Sequence, residues 1–357
     1  MSRLIPPCSM LFLGYRQGTF PGQIFFRGKK MATILDIARL SGVSKSTVSR
    51  VINNHPHVSE DSRTKVMEAI EKLSFVRNAR GVNLRTQTTK TIGVTIPVLD
   101  HPYFSPLVGM IAAKCRKAGY KIVIFQTFYS IDEENKIYEK LTENELDAVI
   151  ITHTLLGEKK IKQRVRDKIV LICNEPLQTR HLDVFSLDER DAVYSSTQYL
   201  LKEGRNQLLF CADEEKTPLQ RQRWEGFKQA HLDLNKSCTI QQKLSGYSTI
   251  EEGILLGDEI FSGHCNHDGI LAGSDFLAAG LLSSAKKHGV SVPKELSIIG
   301  FDNHPICLTT FPALSSIQNQ TELMVKDLMY CLLDRLEGKK FPTVRKVYKG
   351  NLVIRGT

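Results

Sequence analysis

The sequence predicts an all-α head followed by a bilobal α/β core with parallel sheets, and three observations predict it. The first is charge: the chain holds 48 Lys+Arg against 38 Asp+Glu, and the whole excess lies in residues 1–90, which carry 15 basic and 5 acidic side chains against 33 and 33 in the remainder. The second is a change of period. Residues 33–75 read as short amphipathic helices, whereas from Ile92 onward brief apolar runs alternate with helical stretches. The third is length: the roughly 265 residues after the head exceed what one α/β core usually holds, so two lobes are expected.

Residues 1–30 contain no acidic side chain, show no helical period and carry prolines at 6, 7 and 21. The apolar stretch is broken by Pro6 and Pro7 and lacks a small-residue cleavage site, so it does not read as a signal peptide. This segment is expected to be a non-native or disordered extension with Met31 as the true start. The codons for Arg27-Gly28-Lys29-Lys30 can be almost pure purine, as those of a ribosome-binding site are.

In the head, residues 31–75, Thr33 with Asp36 forms a capping-box pattern that opens the helix Ile34–Leu40. Ser44 caps a second helix, "KSTVSRVINN", and Ser59, followed by Glu60 and Asp61, caps a third. Val66, Ile70 and Leu73 share one face of that third helix, with Ala69 beside them, and Ile34, Ile37, Ala38, Val43, Val48 and Ile52 supply the opposing surface. Residues 76–90, "VRNARGVNLRTQTTK", are polar, basic and poor in core residues, and read as a linker with at most one or two helical turns.

The core, residues 91–357, alternates "IGVTIPV", "KIVIFQT", "DAVIITH", "KIVLICN", "QLLFCAD", "DGILAGS" and "LSIIGFD" with helical stretches that include 104–118, 132–144, 191–203, 219–232 and 276–288. Buried strands separated by crossover helices predict parallel sheets covered on both faces. The eight cysteines are scattered singly without a CxxC pair, which reads as reduced, mostly buried thiols in a cytoplasmic protein. No stretch approaches the length of a membrane span.

The basic head points to an anionic polymer, nucleic acid before membrane, since no basic amphipathic or lipidation signal accompanies it. Two helices joined by the turn Ser41-Gly42-Val43 make a helix-turn-helix, whose second helix enters the major groove end-on. Small hydroxyls at that end permit close approach to phosphates, and Lys45 and Arg50 have the reach and donors for guanine O6 and N7.

The stretch "TILDIARLSGVSKSTVSRVINNHPHVSEDSRTKVMEAIEKLSF" resembles the head of the lac/gal repressor (LacI/GalR) family of bacterial transcription regulators. "SDFLAAGLLSSAKKHGVSVPKELSIIGFDN", "FPALSSI" and "NLVIRGT" are similar, in order, to that family's C-terminal signatures, so the likeness covers about residues 32–357. The resemblance implies a hinge helix after the head and a core like periplasmic sugar-binding proteins. It assigns base reading to Lys45, Ser46 and Arg50, and phosphate contacts to Thr33, Ser44, Thr47, Ser49, Asn53 and Ser59. It also implies that Leu84 wedges into the minor groove. This chain departs from the family's Pro-Asn-x-x-Ala-Arg-x-Leu hinge pattern, reading Arg77-Asn78-Ala79-Arg80-Gly81-Val82-Asn83-Leu84. Glycine for alanine costs about 1 kcal/mol of helix propensity.

The resemblance further implies an effector cleft between the lobes, at the strand ends where open α/β sheets bind ligands. Phe104, Asn174, Arg223, Tyr247, Ser274, Asp275 and Asp302 are its expected residues. An aromatic face, a forked guanidinium and carboxylates suit a sugar or sugar phosphate. Asp275 reads equally as a helix cap, and for Phe104 a place in the core is the lesser alternative. The expected partners are duplex DNA bearing a palindromic operator, a sugar-like effector and a second copy of the chain, with no membrane. A dimer is the expected limit, since the chain ends without leucine heptads.

No cofactor is expected, and GxxxxGK[ST], GxSxG, HExxH and a GxGxxG after the first strand are all missing, which argues against an enzyme. The cluster His264, Cys265, His267 and Asp268 in "GHCNHD" reads as a surface loop rather than a metal site. Two alternatives stay open: a carbon-catabolite regulator with a phosphoprotein corepressor, and, from another class, a sugar-binding module or α/β enzyme.

Overall fold

The computed structural model describes residues 32–75, 88–212, 217–237, 242–263 and 266–357. The chain divides into two compact units, parting between Val82 and Asn83.

In the first unit three helices, α1 (Ile34–Ser41), α2 (Lys45–Ile52) and α3 (Glu60–Lys72), close on a small core of Ile37, Val48, Val51, Val66 and Ala69. Each starts where a short hydroxyl side chain satisfies an otherwise orphaned backbone N–H: Thr33 accepts from Asp36 N, Ser44 from Thr47 N and Ser59 from Ser62 N. Thr33 and Asp36 cap each other reciprocally. The first helix ends because Gly42 adopts φ 70°, a left-handed conformation that turns the chain within two residues of the next cap. Arg63 then reaches from α3 to Asn54 Oδ1 and the His55 carbonyl, each at 3.2 Å, fixing the loop that follows α2.

The second unit has two lobes, each built on a six-stranded sheet. The first lobe contains β1 (Thr91–Ile96), β2 (Lys121–Gln126), β3 (Ala148–Ile151), β4 (Ile169–Asn174), β5 (Asp183–Leu187) and β11 (Arg345–Tyr348), in the order β11-β5-β4-β3-β1-β2. The second contains β6 (Leu208–Ala212), β7 (Lys243–Ser245), β8 (Gly269–Ala272), β9 (Ser297–Phe301), β10 (Ser315–Gln318) and β12 (Asn351–Val353), in the order β12-β10-β9-β8-β6-β7. All pairings are parallel except β10 with β12. The chain therefore crosses between lobes after β5, after β10 and after β11.

The seven apolar runs read from the sequence are β1, β2, β3, β4, β6, β8 and β9. Their central strands are buried on both faces, as in "AVII" and "LLFCA", because helices cover each side. Edge strand β2 is different: Val123 and Ile124 are 40% and 42% exposed.

The helices are α4 (Phe104–Lys117), α5 (Ile131–Thr142), α6 (Glu158–Val165), α7 (Glu189–Lys202), α8 (Pro218–Asp233), α9 (Ile250–Phe261), α10 (Asp275–Lys287) and α11 (Thr321–Leu336). The pair α7 and α8 positions the site described below, and one residue permits their contact. A Cβ on Gly226 would stand 2.2 Å from the Arg190 carbonyl oxygen, so only glycine lets these backbones approach so closely.

Gly226→Ala should push α8 off α7 and lower the stability of the core by about 1–3 kcal/mol. Urea unfolding followed by the fluorescence of Trp224, which lies on α8, reads this directly. An unchanged midpoint would show that the two helices have slack.

Candidate functional site

Two surfaces carry chemistry. On the first unit, the N-terminus of α2 has no acidic residue in its first turn, so its helix dipole is not offset there. Its hydroxyls form a local lattice: Ser44 Oγ lies 2.7 Å from Ser46 Oγ and 2.9 Å from Thr47 Oγ1. Lys45, Ser46, Arg50 and Asn53 are exposed, and the side chains of Lys45 and Arg50 have no hydrogen bond or ion pair among the described residues. Thr33 and Ser59 sit exposed at the starts of α1 and α3, while Ser49 and Thr47 are half-buried. Asn53 donates to the Ser49 carbonyl at 2.8 Å, so its amide is partly engaged in closing α2. Leu84 lies outside the described residues, as do Arg77 and Arg80.

In the second unit a cavity of about 80 Å³ opens at the strand ends. It is lined from the first lobe by Pro97, His101, Tyr103, Phe104, Tyr129, Thr152, His153, Asn174 and Glu175. Glu189, Thr217, Leu219, Gln220, Arg223, Gly273, Ser274, Phe301 and Asp302 line it from the second, and Asn319 from a crossing. Five of the seven residues expected from sequence thus converge: Phe104, Asn174, Arg223, Ser274 and Asp302.

Arg223 is the best fixed of these. Its Nε donates to Glu189 Oε2 at 2.7 Å, Nη1 donates to the Gly273 carbonyl at 3.0 Å, and the guanidinium lies 3.6 Å from the Phe301 ring centroid. Arg223 is 6% exposed and Glu189 1%, so this is a buried ion pair. Two of the five guanidinium N–H donors are thus spent within the protein, which leaves Nη2 and the second Nη1 hydrogen for the expected fork onto a ligand.

Asn174 ends β4 at φ 78°, and Asp302 follows β9 at φ 96°. Both are left-handed positions that non-glycine residues occupy at some cost, as residues at functional sites often do. Asp302 Oδ1 accepts from Asn319 Nδ2 at 2.8 Å, joining the end of β9 to the second crossing. Burial raises the Asp302 carboxyl above its ordinary range, against the pull of Arg223. Ser274 lines the cavity, but its hydroxyl accepts from Leu277 N and donates to the Ser248 carbonyl.

Asp275 and Tyr247 lie outside the lining. Asp275 is buried behind it, where Oδ2 accepts from His304 N and Oδ1 from Ser316 Oγ, each at 2.6 Å. It pins α10 to β10 and to the loop after β9, with its carboxyl pushed to about 7 by burial and by Asp302. A Cβ on Gly300 would stand 2.2 Å from its Oδ1. Tyr247 packs instead on the hydrophobic cluster of the second lobe.

Sequence reasoning missed Glu175, His153, Gln220 and Glu189. Glu175 directly follows Asn174 at a strand end already singled out, which was a usable signal. Glu189 follows β5, and the run "DVFSL" had not been read as a strand. His153 is buried, and desolvation holds its imidazole down at about 4, so it is neutral. In the loop "GHCNHD", His264 and Cys265 lie outside the described residues, and Asp268 accepts from Asn206 N and Gln207 N.

Residues 33–78 match the family described as bacterial regulatory proteins, lacI family, and residues 197–357 match the periplasmic binding protein-like domain. The NTD biosynthesis operon regulator NtdR of Bacillus subtilis (strain 168) is 34% identical over 288 residues, covering 80% of this chain and 87% of its own. The chain belongs to the LacI family. Two solved structures of low identity share its fold. The lac repressor dimer bound to operator and the anti-inducer ONPF has a TM-score of 0.78 at 21% identity, over 92% of this chain and 99% of that one. The transcriptional regulator CelR in complex with cellobiose has a TM-score of 0.66 at 22% identity, over 91% and 99%. As a LacI-family member the chain is a DNA-binding transcription regulator and not an enzyme. No helix among its described residues is long and apolar enough to cross a membrane.

Glu189→Gln should leave the buried Arg223 guanidinium without its counter-charge and destabilise the core by about 3–5 kcal/mol. Chemical unfolding of the full chain measures this. A cost under about 1 kcal/mol would mean that water or another group compensates Arg223.

Proposed function

We propose that this LacI-family member is a repressor of a carbohydrate-use operon, acting as a homodimer on a palindromic operator and released or engaged by a small polar ligand in the core cavity. The observation that carries the reading is the cavity itself. Polar side chains from both lobes converge at strand ends on one space, and the two lobes are joined by three crossings. A ligand that favours one arrangement shifts the population toward it, and linkage carries that bias to DNA affinity.

The α2 face supports the DNA half of the proposal. Lys45, Ser46 and Arg50 are assigned to base edges, and Thr33, Ser44, Thr47, Ser49, Asn53 and Ser59 to phosphates, with Leu84 in the minor groove. An uncompensated helix N-terminus ringed by hydroxyls suits phosphate oxygens, while two unengaged cations beside it suit guanine. Phe104, Asn174, Ser274 and Asp302 are assigned to the ligand, with Arg223 positioning Glu189 and offering its remaining edge. The cellobiose complex of CelR supports a sugar-sized occupant. A second copy of the chain would cover the apolar edge at Val123 and Ile124 in the first lobe and Leu308 and Phe311, 70% and 87% exposed, in the second.

Arg50→Ala tests the DNA assignment. On a palindrome selected from a random duplex library, specific affinity should fall by about one to two decades, and binding to unrelated duplex should change far less. Equal losses on both duplexes would reduce Arg50 to a phosphate contact. Phe311→Glu tests assembly: sedimentation should shift from dimer toward monomer, and an unchanged dimer would place the interface elsewhere.

A further inference from the structure

The cavity is more acidic than a neutral sugar requires. Three carboxylates line it, Glu175, Glu189 and Asp302, against a single guanidinium, Arg223, whose Nε is committed to Glu189. The lining imidazole of His153 is held neutral by burial.

Within this lining, four buried polar atoms have no partner: Glu175 Oε1, Gln220 Oε1, His153 Nε2 and Tyr103 Oη. Glu175, Gln220 and His153 are 2%, 5% and 7% exposed, so solvent does not serve them freely. An unpaired buried polar group costs about 1–3 kcal/mol, and groups of this kind mark the place of something that is to bind. Two of the four, the Glu175 and Gln220 oxygens, call for donors.

We propose that the cleft is built for a ligand carrying a protonated amine, an amino sugar in place of a neutral one, with the ammonium seated on Glu175. This rests on the cavity being the effector site, as argued above. A sugar hydroxyl can donate one hydrogen bond to Glu175 but brings no charge that would hold its carboxyl ionised. An ammonium group brings three donors and a positive charge that favours the ionised carboxylate. A metal ion fits less well, since among the described residues no group of three or more His, Cys, Asp or Glu is arranged to hold one. Phe104, Leu219 and Phe301 also offer apolar faces for a carbon ring.

The surroundings of Glu175 give a second readout. Burial, together with Glu189 and Glu134, pushes its carboxyl up to about 8, opposed by the Thr154 backbone and Arg221. At pH 6 to 7 the empty site therefore holds a neutral acid. An ammonium ligand binds its ionised form, so a proton must leave on binding, and affinity should rise about ten-fold from pH 6 to pH 7, while a neutral sugar shows no such slope.

The test is calorimetric titration of the full chain with D-glucose and its matched 2-, 3-, 4- and 6-amino-deoxy analogues. The expected result is that at least one amino sugar binds ten-fold or more tightly than glucose at pH 7, shows the pH slope, and loses its advantage in Glu175→Gln. The slope in the wild-type chain needs no variant, so it decides the matter even if Glu175→Gln misfolds. The amine is overturned if glucose equals or exceeds every amino analogue, if the preference survives undiminished in folded Glu175→Gln, or if no member binds. Glucose binding alone, with a change in operator affinity, would remove the amine and leave the cleft as the sensor.

Discussion

The buried pair between Arg223 and Glu189 is the interaction on which the cavity depends. Glu189 begins α7 immediately after the chain first passes from one lobe to the other, and Arg223 stands on the neighbouring helix with its guanidinium over Phe301 and its Nη1 on the Gly273 carbonyl. One side chain thus ties together the first crossing, the end of β8 and the end of β9. Those three places carry Glu189, Ser274 and Asp302 to the same wall. The close approach of α7 and α8 at Gly226, one turn beyond Arg223, makes the pair possible. Desolvating two charges is expensive, and excellent geometry with further hydrogen bonds is what offsets it.

The second crossing is held by the same logic. Asp302 receives Asn319, so a residue at the end of β9 is bonded to one between β10 and α11. A ligand touching Asp302 or Glu189 therefore acts on groups that already belong to the connections between lobes. That placement offers a route from a few hydrogen bonds to a lobe movement, because it needs no long chain of intermediates.

Much of this was legible in the sequence for local reasons. The three caps of the head, Thr33, Ser44 and Ser59, announce themselves because an N-cap hydroxyl satisfies donors a few residues away. The central strands stand out because burial on both faces demands continuous apolar runs. The strands β5, β7, β10, β11 and β12 did not stand out, being short, polar at an edge, or dependent on a partner far away in sequence, as β11 is on β5, 161 residues distant. The site was half legible. Strand ends pointed to Asn174 and Asp302, but that Asp275 spends both oxygens on His304 and Ser316 follows from tertiary contacts alone. So does the engagement of Arg223 by Glu189, since the two lie on different helices 34 positions apart.

In the proposed function, occupancy of this cavity and grip on DNA are one coupled equilibrium. The most direct measurement is a linkage square. Operator affinity is measured with and without the tightest amino sugar, and amino sugar affinity is measured with and without operator. The two ratios are expected to be equal and to differ from one by at least five-fold, because binding free energies couple reciprocally. An operator affinity that stays constant while calorimetry shows the cavity filled would contradict that coupling.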